Sequence, residues 1–125
     1  LLNANESNLK FLANAWIQAR QPLDALEPLK KAAALSEKGE LYIYLGQTLS
    51  ELQRWKQAAQ ALNKALEKGG LDRPGDALLL LGIAELSTKE YGRAKQVFRR
   101  ALKEESSTKA AKQWLSHVAE QESRL

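Results

Sequence analysis

Residues 40–68 read ELYIYLGQTLSELQRWKQAAQALNKALEK, and the fold turns on how this stretch is spaced. Its first half sets Tyr42, Leu45, Gly46 and Leu49 at i, i+3, i+4 and i+7; its second half sets Ala58, Leu62 and Ala65 at i, i+4 and i+7. Side chains at those intervals share one face of an α-helix. The stretch therefore predicts two helices, about Glu40 to Leu52 and Trp55 to Lys68, joined by a short turn. A pair this short must fold back antiparallel. Gly46 and Ala58 offer the small surfaces that let two backbones approach.

The same arrangement occurs on either side. Upstream, Leu9, Leu12, Ala13 and Trp16 are followed by Ala25, Leu29 and Ala32; downstream, Leu78, Leu81, Gly82 and Glu85 are followed by Ala94, Phe98 and Ala101. The small residue of each first helix (Ala13, Gly46, Gly82) precedes the alanine of its partner (Ala25, Ala58, Ala94) by 12 positions every time. Self-similarity at this length predicts a solenoid, in which neighbouring helix pairs bury the apolar face that one pair cannot bury alone. Ala32, Ala65 and Ala101 are the expected seats for the following repeat. Leu12, Leu45, Leu81, Leu29, Leu62 and Phe98 fill the remaining volume, each contributing about 1.5–3 kcal/mol when buried.

The helices expected outside the central pair are about Ser7 to Ala19, Asp24 to Ser36, Asp76 to Leu86 and Glu90 to Glu104. A last helix runs about Thr108 to Ser123 and presents Ala111, Trp114, Leu115 and Val118, as a capping helix should. Pro28 falls near the first turn of its helix, where a slight bend is expected. Gly39 reads as a C-terminal stop, Pro74 as the residue just before a helix, and Ser87 with Glu90 as a capping box. No alternating strand pattern or hairpin dipeptide appears. The fold class is all-α.

Apolar residues make up 44% and charged residues 27% of the 125, the balance of a folded chain. The longest apolar run, Ala77 to Leu81, is far short of the roughly 18 residues that cross a bilayer. The chain has neither cysteine nor methionine, so thiolate chemistry is excluded and the sequence is expected to be a segment of a longer protein. Net charge is +4. Lys30, Lys31, Lys56, Lys64, Arg93, Lys95, Arg99, Arg100 and Lys103 are spread over the second helices among acidic residues, which reads as a solvated outer face. Nucleic-acid binding through those basic helices stays open as an alternative.

These residues resemble the tetratricopeptide repeat (TPR) family. The best copy is Tyr42, Leu45-Gly46, Leu49, Trp55, Ala58, Leu62, Ala65. The third gives Leu78, Leu81-Gly82, Tyr91, Ala94, Phe98, Ala101, and the first Leu9, Leu12-Ala13, Trp16, Pro22, Ala25, Leu29, Ala32. The chain departs from the family pattern at Gly70 and Ser106, where a closing proline is common, and at Glu85, where an aromatic is usual. Repeat spacing is 33 and then 36 residues. The resemblance implies one TPR-like α-α superhelix: repeats at about 6–38, 39–74 and 75–106, then a capping helix at about 107–123. Residues 65–125, with Gly69-Gly70-Leu71, Pro74-Gly75 and Ala111-Lys112-Gln113-Trp114-Leu115, also resemble the C-terminal end of TPR proteins associated with TonB/ExbB/ExbD-type transport systems of Gram-negative bacteria. That finer resemblance implies a periplasmic setting; a cytoplasmic adaptor or assembly factor is the alternative.

In such a stack the first helices line the concave surface. The expected partner-binding residues are Lys10, Asn14, Ile17, Ile43, Tyr44, Gln47, Leu79, Leu80, Ile83 and His117, joined by Gln113. The expected partner is a protein or peptide, with self-association through the stack ends also open. Some TPR modules that hold a chaperone's terminal carboxylate carry Lys and Asn where Lys10 and Asn14 stand. The later repeats here have Tyr44, Leu79 and Ile83 instead of polar partners, so that clamp is incomplete. His117 is the single histidine, Ser50, Ser116 and His117 form no nucleophile–base set with a third member, and no metal-ligand spacing exists. Asp24, Asp72 and Asp76 sit at helix starts and loops, where they are expected to cap. No enzymatic activity, small-molecule substrate, cofactor or metal is expected.

Overall fold

The computed structural model describes residues 21–125 together with Phe11, Asn14, Ala15 and Gln18. The expected helix at Ser7 to Ala19 therefore lies for the most part outside the described residues, with Lys10, Leu12, Ala13 and Ile17. Six α-helices follow: α1 (Pro22–Leu35), α2 (Glu40–Glu51), α3 (Trp55–Lys68), α4 (Pro74–Ser87), α5 (Tyr91–Ala101) and α6 (Thr108–Ser123). A 3₁₀ turn, Glu105–Ser107, precedes α6, and no strand occurs among the described residues. The chain forms two compact units that divide after Leu71.

In the first unit α2 packs against both α1 and α3. Contact with α3 is close because Gly46 faces Leu62: a Cβ there would come within 2.6 Å of Leu62 Cγ, inside van der Waals distance. Ala25, Ala32, Ala58 and Ala65 are wholly buried, and Leu45 is 5% exposed. Gly39 does not end α1, contrary to its reading as a stop. The α1 C-cap is Ser36, and Gly39 is the N-cap of α2 at φ −80°. It is glycine because a Cβ would run into the Ala65 carbonyl, and its N–H donates to Gly69 O at 2.9 Å. Gly69 and Gly70 then turn the chain with φ of +69° and +65°, a conformation that L side chains resist.

Lys68 closes the unit. Its Nζ donates to the carbonyls of Ala33 (3.1 Å), Ala34 (3.4 Å) and Ser36 (2.6 Å), the unpaired acceptors at the end of α1. It also lies 5.4 Å from the Tyr42 ring centroid. A cation at a helix C-terminus meets the negative end of the helix dipole, which adds to these bonds.

The second unit repeats the scheme with larger residues. Gly82 faces Phe98, whose ring occupies the space a Cβ would need, and Phe98 is fully buried. Leu81, Ala94 and Ala101 are buried beside it. The start of α4 meets the 3₁₀ turn: Gly75 leaves room for Ser107, whose Oγ donates to Ala101 O at 2.8 Å. This turn interrupts the helix expected to reach Glu104, since α5 ends at Ala101. α6 lays Ala111 and Val118, both wholly buried, against α5. A Lys95–Glu122 ion pair at 2.9 Å ties the two helices at half-buried positions.

Four expected caps are absent; for Asp72, the N-cap of α4 is instead Arg73, with no side-chain cap bond. Ser87 Oγ donates back to Ile83 O at 2.9 Å, so it makes no box with Glu90. Serine near a helix end has that intrahelical acceptor within reach and takes it. Asp24 and Asp76 lie in first turns rather than at N-caps, favoured there by the helix dipole, with Asp76 also paired to Arg73 at 3.2 Å. Pro28 stands inside α1, because the helix begins at Pro22 rather than Asp24.

Candidate functional site

Each unit presents its own part of the expected binding face. In the first, Asn14 and Gln47 are exposed and Tyr44 is half-buried, packed against Ala32, Ala33 and Leu41. Ile43 is a correction: at 6% exposure it belongs to the interior and offers a guest no surface. Its helix is apolar around more than one face, so adjacency to Tyr44 does not make it accessible. Polar groups on α2 are turned inward to the backbone: Thr48 Oγ1 donates to Tyr44 O (2.9 Å) and Ser50 Oγ to Gly46 O (2.8 Å).

In the second unit Leu79, Leu80 and Ile83 are half-buried. Leu79 and Ile83 pack on the cluster of Leu86, Ala94, Phe98 and Val118, joined by Tyr91, Trp114 and Leu115. Trp114 stacks on Phe98 at 5.7 Å between centroids and 5° between planes, and His117 meets Trp114 edge-on at 5.7 Å. Gln113, Trp114 and His117 line a shallow hollow of about 310 Å³. His117 Nε2 lies 3.0 Å from Gln121 Nε2, so the amide donates to the ring. Trp114 thus connects Leu79 and Ile83 to the rim formed by His117 and Gln113. The sequence pattern marked Trp114 only for packing, because its place at the edge of the cluster depends on how far α6 slides along α5.

Glu85 lies in this unit where an aromatic would be usual. It is 8% exposed, and burial pushes its carboxyl up from the ordinary range; Arg93 pulls it back down and Glu90 adds to the rise. No cluster of three or more potential metal ligands exists among the described residues.

A cleft of the first unit lies elsewhere. Lys30 and Ala34 of α1, Tyr42, Leu45 and Leu49 of α2, and Gln57, Gln60, Ala61 and Lys64 of α3 enclose about 480 Å³. Reading the second helices as a solvated outer face concealed it. The signal was present in Ala34 and Ala61, two small residues on neighbouring second helices that leave the space between them unfilled.

No family model matches the sequence. The human SH3 domain and tetratricopeptide repeat-containing protein 2 is 35% identical over 104 aligned residues, which is 73% of this chain and 8% of that protein's length. Among solved structures, MamA superposes with a TM-score of 0.83 over 94% of this chain and 68% of its own, at 24% identity. The first TPR of Spaghetti (RPAP3), bound to HSP90 peptide SRMEEVD, superposes at 0.82 over 94% of this chain and 93% of its own, at 17% identity. The fold is TPR-like. Within a TPR-like frame the glycines at 46 and 82 and the alanines at 58 and 94 are the notches between the two helices of a repeat. Tyr44, Gln47, Leu79, Leu80 and Ile83 stand on the first helix of each pair.

Proposed function

We propose that this chain is a non-enzymatic scaffold that binds a protein or peptide, its second unit doing so on the face formed by α4 and α6. The observation that carries this reading is the half-buried pair Leu79 and Ile83 in one cluster with Trp114, with His117 and Gln113 at its rim and the half-buried Leu80 on the same helix. Apolar surface left partly open beside polar groups favours association. Support comes also from the solved complex of a TPR-like neighbour with a peptide.

The test is selection of a displayed random-peptide library against the chain, followed by mapping of bound peptides by NMR. Amide shifts gathered on Leu79, Leu80, Ile83, Gln113 and His117 are the expected outcome. Leu80→Glu should weaken such binding about tenfold or more while far-UV circular dichroism stays unchanged, because loss of one apolar anchor is worth about 1–3 kcal/mol. Peptides that bind without touching these residues would overturn the reading.

The finer form of this proposal places the parent protein in the periplasm beside a TonB-type transport complex, and it rests on the resemblance of residues 65–125. Export of the parent and its co-purification with the ExbB/ExbD components would support it, and retention in the cytoplasm would remove it.

A further inference from the structure

The cleft among α1, α2 and α3 is separate from the face just proposed, and its chemistry is unlike it. Its floor is apolar: Leu45, Leu49 and Ala61 are at most 5% exposed, with the half-buried Tyr42 ring beside them. Its rim is basic. Lys30 and Lys64 stand on opposite walls, and no acidic residue lines the cleft. Lys64 Nζ lies 5.8 Å from the Tyr42 centroid. Lys30 is shared with Glu27 at 3.6 Å, a contact between exposed side chains that competes weakly with a new anion. Gln57 and Gln60 lie one turn apart on α3, so their amides offer both donors and acceptors along one wall.

We propose that this cleft is a second binding site, within the first unit, for an extended acidic peptide. A leucine-sized side chain enters over Leu45 and Leu49. Flanking Asp or Glu carboxylates meet Lys30 and Lys64, and the peptide main chain bonds to Gln57 and Gln60. A peptide is the occupant because the charges stand on two walls with amides between them, which suits a chain bearing repeated carboxylates. The volume of about 480 Å³ lies within the range of small ligand sites.

The test is an NMR titration of the full chain with three acetylated octapeptides: alternating Leu and Glu, alternating Leu and Lys, and alternating Leu and Gln. The Leu–Glu peptide is expected to shift the amides of Ala34, Tyr42, Gln57, Gln60 and Ala61, and the Leu–Lys peptide to leave them unmoved. Reversing both rim charges (Lys30→Glu with Lys64→Glu) should weaken the Leu–Glu peptide roughly tenfold and admit the Leu–Lys peptide, since each exposed charge contact is worth up to about 1 kcal/mol. Gln60→Trp, an exposed rim position, should block the cleft without disturbing the fold. Shifts confined to α4 and α6 would overturn this proposal while leaving the scaffold face standing. Equal binding of all three peptides, or undiminished Leu–Glu binding by the charge-reversed variant, would also overturn it.

Discussion

Gly46 and Gly82 are held by what lies opposite them rather than by backbone conformation. Neither has positive φ, but each faces a fully buried side chain, Leu62 or Phe98. A methyl group at either site has nowhere to go unless the neighbour leaves its rotamer. Gly82→Ala should therefore cost roughly 1–3 kcal/mol in urea unfolding, as overpacking does. The same change at Gly92, where a Cβ meets nothing within 4 Å, should be neutral or stabilising. Glu85 makes a second residue-scale prediction. Its carboxyl titrates above the ordinary carboxylate range in the folded chain, because burial disfavours the charged form, so the folded state holds its proton more tightly than the unfolded state. Ionised Glu85 then opposes folding at neutral pH, and that penalty fades as pH falls through the raised value towards the ordinary carboxylate range. Glu85→Gln should raise the urea midpoint at neutral pH, with the gain shrinking in acid. A constant gain at every pH would assign the effect to packing instead.

At the scale of elements, α6 is held to α5 by Phe98, Trp114, Val118 and the Lys95–Glu122 pair. Phe98 links α4, α5 and α6, filling the Gly82 notch on one side and stacking on Trp114 on the other. Phe98→Ala should cost about 3–5 kcal/mol by thermal or urea unfolding. Lys95→Met should cost under about 1 kcal/mol, because the pair is only half-buried. The helices themselves were legible from the sequence, because an apolar residue every third or fourth position has few other uses. Helix ends were less so. Ser87 bonds back into its own helix, and Gly39 serves the next helix rather than the previous one, choices set by which carbonyl happens to be near. Candidate binding residues were legible as helix faces but not as surfaces: Ile43 is interior while Leu79 and Ile83 stay partly open. The cleft beside Lys30 and Lys64 depends on the distance between two helices that start 33 residues apart in sequence, which local periodicity does not record.

For the whole molecule, the charge of +4 invites a comparison between polyanion binding and peptide binding. Several cations are already engaged: Lys30 with Glu27, Arg73 with Asp76, Lys95 with Glu122 and Arg124 with Glu120. A peptide held by Leu79, Leu80, Ile83 and Trp114 should lose little affinity, within about threefold, between about 50 and about 200 mM salt, since apolar burial is not screened. Nucleic acid held by the basic second helices should lose far more over that range. Fluorescence anisotropy with a selected peptide and with a single-stranded oligonucleotide measures both. Lys68 carries a last consequence. One surface amine stoppers three main-chain oxygens that lie as many as 35 positions earlier. Acetylating it would leave one weak N–H and no charge, so the tail of α1 would fray although no atom of that helix had been altered.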